Sequence, residues 1–167
     1  MPLPSRQRLE AQLYRARLSS DDFTEASEYL SKFSATGDDV VKRGLLTAAI
    51  VSYCRPFTKN DGGAGGAATF QLSVNPAKLF TPGEQELHKT LLSLRREVVA
   101  HTGYDRKPVK RLKGSESGFT MSGKLFDLLS ETIDLSLFAT MCGALKSHCF
   151  DTMMDLNRKI VEADNAP

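Results

Sequence analysis

Apolar positions recur every three or four residues over most of this chain, the period of an α-helix that buries one face. From Arg6 to Leu18 the pattern is loose: Leu9, Leu13 and Ala16 fall at helical spacing, with Arg17 beside them, and predict a first helix or a helical arm. Ser19 or Ser20 then offers a cap. Asp21, Asp22 and Glu25 put negative charge in a first turn, and Phe23, Ala26, Leu30 and Phe33 share one face, so a second helix is predicted that stops before Gly37. Asp38 or Asp39 opens the next segment, whose face is Val41, Leu45, Ala48, Ala49 and Ser52 or Tyr53. It ends at Arg55, because Pro56 disfavours helical geometry in the residue before it.

Residues 56–81 read mainly as loop. Asn60 to Ala68 is glycine-rich, but it follows a helix and lacks a Gly-Lys-Ser/Thr ending, which excludes a P-loop and leaves a connection. Thr69 to Val74 is a short extended candidate. Thr81-Pro82-Gly83-Glu84 is a helix start, with a capping threonine, proline in the first helical position and glutamate in the third. Leu87, Leu91, Leu94 and Val98 follow as the core stripe of a helix from Pro82 to His101. His88 and Arg95 share a face of it, and His88 reads as a surface histidine that could line a groove. Beyond Gly103, Val109 to Leu112 and Phe119 to Met121 flank a polar, glycine-containing turn and suggest either a short hairpin or a long loop. From Ser122 a long helix is predicted on Leu125, Leu128 or Leu129, Ile133, Leu137, Met141 and Ala144 or Leu145, packing along the Pro82 helix. Asp151 to Val161 either continues it or forms a separate piece.

These elements make an all-α bundle of four or five helices in a single domain spanning 1–167, with 1–18 a helix or arm and 56–81 a loop. Composition agrees: 167 residues with 41% apolar and 25% charged side chains suit one packed domain. No apolar run approaches the ~20 residues of a membrane span, and the first residues lack a secretory signal, so a cytoplasmic location without membrane association is expected. Cys54, Cys142 and Cys149 form no CxxC pair; Cys142, His148 and Cys149 lack a fourth nearby ligand, so buried thiols are expected and neither metal nor cofactor is called for. The net charge of +2 does not by itself mark a nucleic-acid binder. Its distribution does more, because Arg106, Lys107, Lys110, Arg111 and Lys113 crowd one short segment against Asp105 alone, and that segment is either a solvated loop or a patch for a polyanion.

Candidate chemistry sits at the end of the Pro82 helix, where Arg96 and His101 stand five apart just before Gly103. Imidazole transfers protons near neutral pH, and guanidinium holds phosphate oxygens in a fixed fork, so the pair suits a phosphodiester. On a straight α-helix, residues five apart lie roughly 140° from one another around the axis. A joint site therefore requires the helix end to distort, or a second copy of the chain to contribute.

The run Leu94 to His101, followed by Thr102, resembles the signature of HEPN domains: an arginine, a polar residue, and a histidine four to six intervening residues beyond the arginine. Here these are Arg96, Glu97 and His101, with Glu97 where asparagine, aspartate or histidine is more usual. The resemblance implies a HEPN-like helical bundle and metal-independent endoribonuclease activity, with His101 as general base, Arg96 stabilising the phosphoryl oxygens and Glu97 orienting either. It further implies a homodimer, RNA contacts from Arg95, Arg106, Lys107, Lys110 and Arg111, and an antitoxin or regulatory protein as partner in a toxin or phage-defence system. Two alternatives stand beside it: a non-catalytic helical dimerisation or adaptor module in which these residues cap a helix, and a domain that holds nucleotide phosphates.

Overall fold

The computed structural model describes residues 5–58, 72, 74–96, 109–112, 120–123 and 127–165. It is an all-α bundle with one short hairpin, as the hydrophobic period requires. In order come α1 (Ser5–Ala35), α2 (Asp39–Cys54), a 3₁₀ turn (Arg55–Phe57), a single-turn α3 (Pro76–Leu79) and α4 (Pro82–Leu94). The hairpin strands β1 (Val109–Leu112) and β2 (Thr120–Gly123) follow, then a 3₁₀ turn (Leu128–Ser130) and α5 (Leu135–Asp164).

The two expected N-terminal segments are one 31-residue helix. Ser19 does not cap a new start. It is buried, and its hydroxyl donates to the Arg15 carbonyl one turn back at 2.8 Å, so the helix continues through it. Ala11, Ala16, Phe23, Ala26 and Leu30 then form one uninterrupted buried face. α2 begins as expected: the Asp38 carboxylate accepts from the Val40 and Val41 N–H groups at 2.8 and 3.1 Å. Of its expected face, Ala49, Ser52 and Tyr53 are buried, joined by Leu46, Ile50 and Cys54, whereas Val41 is exposed and Leu45 and Ala48 are half-buried. The helix closes at Cys54 and tightens into the 3₁₀ turn around Pro56. The Leu72 N–H donates to the Pro56 carbonyl at 3.0 Å, and the glycine-rich stretch Asn60 to Ala68 lies outside the described residues.

α4 starts on the expected capping box. Glu84 Oε2 accepts from the Thr81 N–H and hydroxyl at 2.7 and 2.8 Å, and the Glu84 N–H donates back to Thr81 Oγ1. The hairpin alternative is realised as an antiparallel pair in which Val109 faces Gly123 and Leu112 faces Thr120. Ser122 therefore lies in a strand, not at the start of the last helix. That helix begins at Leu135, where Asp134 accepts from the Leu137 N–H at 2.8 Å, and it runs unbroken through residues 151–161. Its long partner is α1 rather than α4. The two run antiparallel, Arg6 at the start of α1 pairing with Asp164 at the end of α5 at 2.8 Å. α4 meets the beginning of α5, near Gly83 and Leu137. The common core is Phe23, Ile50, Tyr53, Leu91, Leu94, Phe138, Met141 and Leu145, all essentially solvent-free. Among the described residues no helix is long and apolar enough to cross a membrane.

Candidate functional site

Three consecutive residues at the end of α2 tie the candidate site to the rest of the bundle. Tyr53 reaches α4: its hydroxyl lies 2.8 Å from His88 Nδ1. Cys54 donates its thiol hydrogen to the Leu91 carbonyl of α4 at 3.5 Å. Arg55 reaches α1, with Nη1 2.9 Å from both Asp22 Oδ1 and Glu25 Oε2. The C-terminal end of α2 thus fixes α4 and α1 at one level of the molecule.

His88 is buried, contrary to the surface position expected. It sits on the edge of the leucine stripe, but Phe57 and Phe80 close over it, with ring centroids 4.8 and 5.7 Å away. Tyr53 in turn packs edge-on against Phe138 at 5.1 Å. Burial disfavours the charged form of each partner: it lowers the pKa of His88 and raises that of Tyr53. Both are therefore neutral at pH 7, and a single proton joins phenol oxygen and imidazole nitrogen.

On the α1 side, Arg55 anchors a polar network. Ser52 donates to Glu25 Oε2 at 2.6 Å and Tyr29 to Glu25 Oε1 at 3.2 Å; the Ser52 bond leads the contributions that lower the Glu25 pKa. Asp22 behaves oppositely, its burial raising its pKa in spite of Arg55. The buried Arg15 donates from Nη2 to the Arg55 carbonyl at 2.9 Å, while its Nε has no acceptor among the described residues. Arg15, Asp22, Glu25 and Arg55, with Leu18 and Asp21, line an open cleft of about 380 Å³. None of this network was picked out from the sequence. Asp22 and Glu25 read there as first-turn charges, and their partner Arg55 lies thirty or more positions away.

The predicted site residues divide. Arg95 is half-buried and near enough to Cys54 to favour its thiolate, but burial dominates and pushes that thiol up to about 12. Arg96 is exposed. The backbone passes from α4 into a π-type turn at residues 95–96, where the described part of this segment ends. Lys110 and Arg111 lie on β1, in register with Ser122 and Met121. Glu97, His101, Arg106 and Lys107 lie outside the described residues, as does Val98 of the expected stripe. Cys142 and Cys149 are buried thiols, each pushed up to about 12 by burial. Compared with known proteins, the chain matches no family model, no curated protein and no solved structure.

Proposed function

We propose that this chain is a metal-independent endoribonuclease of the HEPN type. The observation that carries the proposal is the π-type turn at residues 95–96, directly after α4, with Arg96 exposed in it. Such turns are rare and are frequently found at functional sites. The anchored end of α2 supports the same proposal. Tyr53 and Cys54 hold α4 one to two turns before the arginines, so the backbone that carries them leaves a fixed base, as preorganised phosphate recognition demands.

In the proposed reaction His101 removes the proton from a ribose 2′-hydroxyl, and that oxygen attacks the adjacent phosphorus. Arg96 neutralises the charge that gathers on the non-bridging oxygens. The phosphorus–5′-oxygen bond breaks, an acid returns a proton to the leaving oxygen, and a 2′,3′-cyclic phosphate remains. A histidine of a second copy suits that acid role, and Glu97 suits the orientation of either catalytic group. Arg95, Arg106, Lys107, Lys110 and Arg111 supply backbone contacts, and a protein that covers the basic segment fits the role of an inhibitory partner.

Single-stranded RNA incubated with the protein in chelator tests the proposal. His101→Ala and Arg96→Ala should each lower the cleavage rate by roughly two to four orders of magnitude with the fold retained, the range of a lost general base or oxyanion donor. Unchanged rates in both variants would contradict it. Lys110→Ala with Arg111→Ala should weaken RNA binding across sequences and flatten its salt dependence.

A further inference from the structure

Arg15, Leu18, Asp21, Asp22 and Glu25 recur at spacings of three and four on one face of α1, and Arg55 at the end of α2 completes the cleft that they line. Arg15 is 7% exposed. Its Nη2 donates to the Arg55 carbonyl, its Nε has no acceptor, and it forms no ion pair among the described residues. A buried guanidinium charge without a paired anion is costly, and its fork of donors suits a carboxylate brought from outside the chain. Asp22 is near enough to feel that charge, but its Oδ1 accepts from Arg55 instead. Glu25 is fully engaged as well, by Ser52, Tyr29 and Arg55. Asp21 differs from both, because it is exposed and pairs with Arg17 at 3.2 Å, a surface ion pair of the kind that contributes little and yields readily to a competitor.

We propose that this cleft binds a free aliphatic α-amino acid, with its carboxylate on Arg15, its ammonium at Asp21 and Asp22, and its side chain along the exposed Leu18. The charges select this class of ligand. The lining carries two guanidiniums and three carboxylates, and Arg17 balances the set from outside. Inorganic phosphate or an RNA backbone would satisfy Arg15 but meet three carboxylates, and a polyamine would leave Arg15 unpaired. A zwitterion serves both signs and leaves the total charge unchanged. A cleft of about 380 Å³ is in the range of small-molecule sites and holds a molecule of that size. The proposal goes beyond the ribonuclease reading and does not depend on it.

Calorimetric titration and thermal unfolding of the full chain test this, with L-leucine to about 10 mM at a pH near 6.5, where an α-amino group is charged. L-leucine should bind saturably and raise the unfolding midpoint. L-leucine methyl ester lacks the carboxylate charge and 4-methylpentanoate lacks the ammonium; each should bind about ten- to hundredfold more weakly, as expected for one lost hydrogen-bonded charge. Asp21→Asn, an exposed change, should keep the parent's stability and weaken leucine by about tenfold. Arg15→Met should abolish the response to leucine and, without ligand, be at least as stable as the parent. It removes an unpaired buried charge, and the Arg55 carbonyl keeps the Thr58 N–H and hydroxyl at 3.2 and 3.1 Å. A flat titration of the parent, equal binding of the ester or of inorganic phosphate, or an unchanged leucine response in Arg15→Met would each overturn the proposal. A parent without leucine binding beside an Arg15→Met protein of reduced stability would assign Arg15 to the fold alone and also overturn it. RNA enters none of these measurements, so failure here and failure of the ribonuclease assignment are told apart.

Discussion

His88 is a neutral imidazole in an aromatic pocket, and its surroundings make stability depend on pH in a defined direction. In the unfolded chain it takes up a proton near pH 6.5, whereas burial lowers its pKa in the folded state. Below pH 6.5 the unfolded state therefore binds more protons, and stability is lost as pH falls from that value towards the lower folded pKa. Urea unfolding at pH 7.5 and pH 5.5 should show the loss in the parent, and His88→Gln should flatten this part of the profile. Tyr53→Phe should cost about 1–3 kcal/mol at pH 7.5, because it leaves a buried imidazole nitrogen without its partner. An unchanged unfolding midpoint in Tyr53→Phe would remove the Tyr53 and His88 bond from the account. The burial of His88 was not legible in sequence. Leu87, Leu91 and Leu94 mark the stripe beside it, but the rings that cover it come from Phe57 and Phe80, outside the helix.

Among the elements, those begun by local chemistry were legible to the residue. Thr81, Pro82 and Glu84 specify the start of α4 within four positions, and for α2 the sequence narrows the cap to Asp38 or Asp39, of which Asp38 serves. Thr81→Ala should lower stability by about 1 kcal/mol, because Glu84 keeps the backbone N–H of residue 81 and loses only the hydroxyl; Thr81→Ser should keep most of it. Chemical denaturation of the three proteins checks this. Local signals misled where tertiary packing decided. Ser19 and the acids after it resemble a helix start, yet the small face Ala11, Ala16 and Ala26 packs in line with Phe23, and α1 stays whole. Leu125 to Ile133 keep a helical period, but the hairpin takes residues 120–123 and a 3₁₀ turn buries Leu128, which delays α5 to Leu135. Periodicity identifies faces; it does not say which apolar residues are reached before a cap.

At the scale of the whole molecule, α1 and α5 form the long antiparallel frame, and α2 and α4 converge on it through Tyr53, Cys54 and Arg55. The all-α class and the position of the arginine pair followed from the sequence, because both rest on periodicity and on one short run of residues. The anchoring of α4 at His88 and Leu91 did not, since it depends on contacts across more than thirty positions. The central claim is that this frame presents Arg96 for work on RNA with His101. The most direct measurement pairs an RNA oligonucleotide with the same oligonucleotide carrying a single 2′-deoxy sugar at the cut site, in chelator, with product ends identified for the parent and for His101→Ala. The account predicts cleavage of the RNA by the parent alone, 2′,3′-cyclic phosphate ends and no cutting at the deoxy position. Equal cutting by His101→Ala, cutting at the deoxy position, or no cutting by the parent across a broad set of RNAs would contradict it, and the last result would favour a helical adaptor.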